Sequence, residues 1–145
     1  MEPNFLMGSM GYVVGEKFCA AVDMAIEEKL PLIHADINLL KQALINVLHN
    51  AMVYTPSDSP IMISSFFSAP GKIAIRVSDF GTGVSPELLN RLFDKFYRVP
   101  GSKSGGTGLG LTITKAIVEA HNGIVIAENA ESGGLQITMI LNIDT

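Results

Sequence analysis

The chain has 145 residues, 48% hydrophobic and 17% charged, with a formal net charge of −4 at pH 7. This length allows one ordinary core, so we expect a single domain over 12–145 behind a tail or linker at 1–11. The acidic balance argues against a nucleic-acid partner, the single cysteine excludes an internal disulfide, and the apolar runs are too short to cross a bilayer.

The first half of the chain predicts one strand, one long helix and a hairpin. Partial apolar alternation predicts a strand from Phe18 to Glu27. Asp36 is placed to cap a helix that runs to about Tyr54. Apolar residues recur along this helix at steps of three and four as one buried stripe: Ile37, Leu40, Leu44, Val47, Leu48 and Ala51. The strands Ile61 to Ser68 and Lys72 to Asp79 then form a hairpin around a Pro-Gly turn.

A short helix and a longer one are predicted in the second half. Ser85 stands as the cap of the short helix, which has a proline in its first turn and ends at about Asp94. Tyr97 to Thr107 has the composition of a loop. The second amphipathic helix is expected to end at Asn122-Gly123. Its expected buried face is Leu109, Ile113, Ala116, Ile117 and Ala120.

The last two strands complete an α+β pattern. Ile124 to Asn129 and Leu135 to Ile143 alternate in hydropathy and flank a Gly-Gly turn. Helices and strands do not alternate one for one along the chain. This favours a two-layer sandwich in which about three helices pack on one face of a mixed or antiparallel sheet. A doubly wound nucleotide fold is therefore not expected.

Two glycine-rich segments flank the short helix. The first follows a strand as D-x-G-x-G and contains Asp79, Gly81 and Gly83. The second precedes a helix as G-x-G-L-G-L and contains Gly106, Gly108 and Gly110. A carboxylate can read a base, and glycines with a helix N-terminus can admit phosphates, so we expect a nucleotide ligand. The spacing differs from both the dinucleotide fingerprint and the P-loop. Four basic residues favour phosphate attraction beside the second segment: Arg91, Lys95, Arg98 and Lys103.

Four ordered motifs resemble those of one family. Asn46 to Ala51 resembles its N box, Asp79 to Gly83 its G1 box, Leu92 to Val99 its F box and Gly106 to Leu111 its G2 box. Together they resemble the catalytic and ATP-binding domain of bacterial sensor histidine kinases, in the superfamily of gyrase, Hsp90, histidine kinases and MutL. The resemblance spans most of the chain and implies the Bergerat ATP-binding fold. The stretch Phe96 to Gly110 is further similar to Kdp-type, potassium-responsive sensors.

The resemblance implies ATP and Mg²⁺ as cofactors and assigns roles to individual residues. Asn46 and Asn50 lie four apart on one helix face, where they would hold the metal and serve catalysis. Asp79 would accept a hydrogen bond from the exocyclic amine of adenine. The expected ATP-binding residues are Asn46, Asn50, Tyr54, Asp79, Gly81, Gly83, Phe96, Arg98, Gly106, Thr107, Gly108, Leu109 and Gly110.

Three departures from the family pattern bear on the reaction and on affinity. Asn46 stands where ATP-hydrolysing relatives carry a glutamate, and an amide cannot accept the proton of the attacking water. Phosphoryl transfer is therefore favoured over hydrolysis. Val53 stands where many histidine kinases have lysine, and Leu135 where threonine is common, so ATP affinity is expected to be modest. A stand-alone ATPase or ATP-gated clamp, and a degenerate interaction module, remain alternatives.

The three histidines bear on the expected partners. His34, His49 and His121 do not stand in a phosphoacceptor signature, so each is interpreted as structural. The resemblance then implies a partner, the dimerisation domain that carries the phosphoacceptor histidine, and indirectly a response regulator. We expect the isolated fragment to be monomeric and without membrane contact. It would be the cytoplasmic part of a membrane-anchored sensor.

Overall fold

The computed structural model describes residues 22–26, 36–54, 60–95, 110–131 and 133–142, with backbone alone at 22–26, 53 and 54. The described strands are β1 (Val22–Ile26), β2 (Ile61–Ala69), β3 (Lys72–Asp79), β4 (Ile124–Asn129) and β5 (Leu135–Asn142). The described helices are α1 (Ile37–Tyr54), a short 3-10 helix (Pro86–Phe93) and α2 (Gly110–Ala120). No helix in these ranges is long and apolar enough to span a bilayer.

The described strands form one five-stranded mixed sheet. Its order is β1-β2-β3-β5-β4, with β1 parallel to β2 and every other pair antiparallel. Ile63 pairs with Val77, and Val77 pairs in turn with Ile137, so inward-facing apolar residues lie in rows across the sheet. The predicted α+β sandwich with a mixed sheet is confirmed. The predicted first strand is observed at Val22–Ile26, and the rest of its predicted range, 18–21 and 27, lies outside the described residues.

Helix α1 begins and ends as predicted. The carboxylate of Asp36 accepts a hydrogen bond from the Leu39 N–H at 3.1 Å, which satisfies one of the free donors of the first turn. The predicted stripe from Leu40 to Ala51 is at most 4% exposed. Each fully buried leucine of this kind contributes about 1.5–3 kcal/mol to folding. The prediction for Ile37 was wrong: it is 39% exposed, because the buried stripe begins one turn later at Leu40.

The hairpin of β2 and β3 is confirmed. Gly71 adopts a φ of 77°, the positive value that the sequence assigned to this turn. Strand β2 extends one residue beyond the prediction, to Ala69, with a register irregularity between Phe67 and Ala69. Strand β3 ends at Asp79, where the first glycine segment begins.

Helix α2 exists as predicted but buries a different face. Its buried residues are Leu111, Thr114, Ile117 and Val118. Of the expected face, Ile117 is buried as predicted, whereas Ile113 is 43% exposed, Ala116 and Ala120 are exposed, and Leu109 lies outside the described residues. The observed buried face is centred on Thr114, whose hydroxyl donates a hydrogen bond to the Ala43 carbonyl of α1 at 3.0 Å. Because threonine is polar, a pattern of apolar residues alone does not predict this buried position.

The remaining turns and ends agree with the sequence apart from one cap. Asn122 ends α2 with a φ of 60°, and the Gly123 N–H bonds to the Val118 carbonyl at 2.9 Å. Ser85 makes no side-chain capping bond to the 3-10 helix; its carbonyl accepts from Leu88 N–H at 2.8 Å instead. The alternating apolar face of β5 is buried from Leu135 to Leu141, and Ile143 lies outside the described residues.

Candidate functional site

The centre of the candidate site is the carboxylate of Asp79, at the end of β3. Its side chain is 4% exposed although it is ionisable. Its Oδ1 accepts two backbone hydrogen bonds, from Gly81 N–H and Leu135 N–H, each at 3.0 Å. Both described bonds go to Oδ1, so Oδ2 is the oxygen that can accept from a ligand. The structure therefore holds the carboxylate in one orientation.

Burial raises the pKa of Asp79 above its ordinary value of 3.8. Desolvation is the larger effect, and the hydrogen bonds from Leu135 and Gly81 oppose it. A poorly solvated carboxylate has little water to give up when a donor arrives. It is therefore a strong acceptor for an N–H group of a ligand.

The turn between β4 and β5 lies directly against this carboxylate. A Cβ built at Gly134 would lie 1.9 Å from the Asp79 carbonyl oxygen and 2.9 Å from Oδ1, closer than any real Cβ contact. Two turn bonds hold Gly134 there: Ala130 N–H to its carbonyl at 2.7 Å, and Gly133 N–H to the Ala130 carbonyl at 2.9 Å. Glycine is thus required at 134 for the approach of two backbones. Gly134 was not among the predicted site residues, although the Gly133-Gly134 pair is visible in the sequence.

Leu135, which departs from the family's threonine, supplies its backbone donor to the site. Any residue has this N–H, so the substitution preserves the bond to Asp79. The leucine side chain is 3% exposed and belongs to the core. The departure therefore removes a hydroxyl but leaves the orientation of the carboxylate intact.

The first glycine segment runs between Asp79 and Asn129. The Gly81 N–H donates to the Asp79 carboxylate. Gly83 has a φ of 75°. A Cβ built at Gly83 would lie 2.7 Å from both the Asn129 Oδ1 and the Gly133 carbonyl oxygen. Both the backbone conformation and the space therefore exclude a side chain at 83. Asn129, at the end of β4, was not among the predicted site residues. It is one polar residue at a strand end, which has no local signature of a site.

Asn46 lies between the two helices. Its Nδ2 donates to the Gly110 carbonyl at 3.2 Å, and its Oδ1 accepts from the Gln42 side chain at 2.8 Å. A Cβ at Gly110 would meet Asn46 at an ordinary contact distance of 3.7 Å, so space does not require glycine at the first residue of α2. In the structure, the Asn46 side chain connects the start of α2 to α1.

A hard cation such as Mg²⁺ prefers oxygen donors, and the two predicted asparagines supply amide oxygens. Asn50 is half-buried one turn after Asn46 and fits that donor type. The oxygen of Asn46 accepts one hydrogen bond, from Gln42, and an amide oxygen has a second lone pair, so Asn46 also fits that donor type. Among the described residues there is no group of three His, Cys, Asp or Glu side chains that could hold a metal.

Several predicted site residues lie outside the described part of the chain. For Tyr54 only the backbone is described. The residues that lie wholly outside are Phe96, Arg98, Gly106, Thr107, Gly108 and Leu109. The side chain of Val53 is not described either, and His34 and Lys103 lie outside the described part. Among the four basic residues predicted beside the second glycine segment, Arg91 makes an exposed ion pair with Asp94 at 3.7 Å. An exposed pair of this kind contributes little to the stability of the fold. Lys95 is exposed.

His121 has a structural role, as expected. Its Nε2 accepts from the Asp36 N–H at 3.0 Å, and its Nδ1 lies 2.8 Å from the Ile117 carbonyl. Accepting at Nε2 places the ring proton on Nδ1, which then donates to that carbonyl. The ring thus joins the end of α2 to the start of α1.

The chain is similar in sequence to a family of ATPases and to sensor histidine kinases. Residues 35–145 match the family model described as histidine kinase-, DNA gyrase B-, and HSP90-like ATPase. The chain is 36% identical to the signal transduction histidine-protein kinase BaeS of Escherichia coli K12, over 96% of this chain and 31% of that protein. It is also 36% identical to the sensor protein KdpD of Clostridium acetobutylicum, over 78% of this chain and 13% of that protein.

Solved structures show the same fold. The nucleotide-free catalytic domain of the histidine kinase ThkA matches with a TM-score of 0.86 and 27% identity, over 99% of this chain and 93% of that one. The chain spans less than a third of the length of the two sensor kinases, 31% and 13%. Because BaeS and KdpD match at the same 36% identity, the Kdp-type subgroup stays a prediction.

Proposed function

The chain belongs to the family of histidine kinase-, DNA gyrase B-, and HSP90-like ATPases, and on this premise we propose that it binds ATP and donates the γ-phosphate to a histidine on a separate dimerisation domain. The supporting observation is the buried Asp79 carboxylate, held through Oδ1 by two backbone amides. The chain would then be the catalytic domain of a two-component sensor kinase.

The base end of the site accounts for a preference for adenine. Asp79 Oδ2 accepts from the exocyclic amine, in a charge-assisted bond that stabilises binding by about 1.5–3 kcal/mol. Guanine carries a carbonyl oxygen at the equivalent position, which a carboxylate repels. The residue therefore selects the nucleotide as well as binding it.

The phosphate end is built from α1 and α2. Helix α2 begins at Gly110, and its first N–H groups and its dipole favour an anion at that end. Asn46 holds this helix start in place through the Gly110 carbonyl. Asn50 and Asn46 are our candidate ligands for Mg²⁺, which when bound would neutralise phosphate charge. Phosphoryl transfer depends mainly on such positioning and electrostatics.

The same residues disfavour hydrolysis. A water-activating base is needed at the position of Asn46, and an amide there cannot take the proton. The acceptor in our proposal is thus the histidine of the dimerisation domain, from which a response regulator would receive the phosphoryl group. Because it would use ATP, we expect the domain to lie in the cytoplasm, and we expect it to be a monomer in isolation.

The experiment is a calorimetric titration with ATP, ADP and GTP, each with and without Mg²⁺, followed by phosphotransfer assays. We expect ATP and ADP to bind, GTP to bind far more weakly, and phosphoryl transfer to occur only when the dimerisation domain is added. Rapid ATP hydrolysis by the chain alone would favour the stand-alone ATPase. Failure of Mg·ATP to raise the melting temperature would favour the degenerate module, since a ligand specific to the native state stabilises it.

A further inference from the structure

The side-chain amide of Asn129 makes two hydrogen bonds to the backbone of one residue, Val84. Its Oδ1 accepts from the Val84 N–H at 2.9 Å, and its Nδ2 donates to the Val84 carbonyl at 2.5 Å. The two residues are 45 positions apart in the chain. The amide thus pairs with a peptide group as a neighbouring strand would, and it uses both its donor and its acceptor to do so.

These bonds hold one end of the loop Gly81–Val84. The other end is held at Gly81, whose N–H donates to Asp79 Oδ1 at 3.0 Å. Between them, Gly83 at a φ of 75° packs against the Asn129 Oδ1. The loop is therefore attached at one end to the residue that reads the base and at the other to Asn129.

We propose that Asn129 is a positioning residue for nucleotide binding, which acts through Val84 to keep the Gly81–Val84 loop in its binding geometry before the ligand arrives. This rests on the proposed function, because the loop would border the adenosine. Asn129 does not need to touch the ligand. A loop ordered in advance avoids the entropy loss that ordering it on binding would bring.

The location of Asn129 separates this role from a general structural one. The residue is exposed, at the end of β4, where it lies outside the hydrophobic core. Exposed hydrogen bonds contribute modestly to the free energy of unfolding. Their loss is therefore expected to affect the local order of the loop more than the stability of the domain.

The chain offers a matched control in Asn142. This exposed asparagine, at the end of β5, also donates its amide to a backbone carbonyl, that of Asn122 at 2.7 Å. The bond joins a strand end to the end of α2 and does not involve the loop. Asn142→Ala removes the same kind of bond from another part of the sheet.

The test compares Asn129→Ala, the isosteric Asn129→Asp and Asn142→Ala. In Asn129→Asp at neutral pH, a carboxylate oxygen replaces the donor that faces the Val84 carbonyl, so the pair becomes repulsive. We expect both Asn129 variants to raise the calorimetric Kd for ATP and for ADP by the same factor, about tenfold. Amide exchange at Val84 without nucleotide should accelerate, and the transfer rate at saturating ATP should stay unchanged, so that KM alone rises. Asn142→Ala should bind as the wild type does.

Unchanged Kd in both Asn129 variants would overturn the proposal, as would an equal loss of affinity in Asn142→Ala. Should Asn129→Ala fold poorly, Asn129→Asp carries the test. Failure of the proposed function is distinguishable through Asp79→Asn and the wild-type chain. If that variant loses adenosine binding while the Asn129 variants bind normally, only the positioning role is wrong. If the wild-type chain itself does not bind ATP or ADP, the proposed function is wrong.

Discussion

Replacing Asp79 by asparagine separates recognition of the base from stability of the fold. The substitution changes one oxygen to an NH₂ group without changing the volume of the side chain. The remaining oxygen can still accept from Gly81 and Leu135, which both bond to Oδ1 in the wild type. The change therefore acts on Oδ2, the atom that faces the ligand in our proposal.

The expected loss of affinity follows from the lost bond. A charge-assisted hydrogen bond contributes about 1.5–3 kcal/mol, and each 1.4 kcal/mol is tenfold, so ATP and ADP should bind roughly ten- to a hundredfold more weakly. The new NH₂ group would also face the exocyclic amine, donor against donor, which adds to the loss. Calorimetric titration with each nucleotide measures this directly.

The folding stability of Asp79→Asn should not fall at neutral pH, although its ATP affinity should. Burial raises the pKa of Asp79 above 3.8, so the folded state binds this proton more tightly than the unfolded state does. The associated stabilisation is fully present below the unfolded pKa and is lost as the pH rises through the folded pKa. At neutral pH the wild type therefore contains a desolvated charge that Asp79→Asn lacks. The variant should be at least as resistant to urea as the wild type at neutral pH, with its advantage shrinking as the pH falls towards 3.8.

Two results would contradict this reasoning. Unchanged ATP affinity in Asp79→Asn would show that the carboxylate does not read the base. A variant that is less stable than the wild type at neutral pH, and recovers on acidification, would show that ionised Asp79 stabilises the fold. Urea unfolding at several pH values, followed by circular dichroism, distinguishes these outcomes.

Three further predictions address the metal, the turn and the helix ends. Asn50→Ala should weaken Mg²⁺-dependent ATP binding and slow transfer to a supplied histidine domain while leaving the melting temperature unchanged; full transfer by the variant would remove the metal assignment. Gly134→Ala should destabilise the domain by several kcal/mol, of order 3, and abolish nucleotide binding, because the new Cβ would collide with the Asp79 backbone at 1.9 Å; wild-type urea unfolding would show that the turn moves freely. His121 should be protonated on Nδ1 in nitrogen-15 NMR spectra near neutral pH, since Nε2 accepts from the Asp36 N–H; an Nε2-protonated ring would contradict that hydrogen bond.

The sequence by itself determined the elements whose signals are local. Asp36 and the apolar stripe from Leu40 specify the limits and the buried face of α1, because a cap and a 3.6-residue period are both properties of neighbouring positions. The alternation in β3 and β5 and the positive φ at Gly71 follow in the same way. Asp79 was identifiable because a strand end and a glycine segment adjoin it in the chain.

Only the tertiary structure decided which backbones meet at the site. Gly134 contacts Asp79 across 55 positions, and Asn129 binds Val84 across 45. The buried threonine of α2 meets the Ala43 carbonyl across 71 positions. Such pairs have no periodicity or spacing that marks them, because each partner is an ordinary residue until folding brings the other within hydrogen-bond distance. The carboxylate that reads the base is a local feature of the sequence, whereas its orientation and the shape of its loop depend on these long-range contacts.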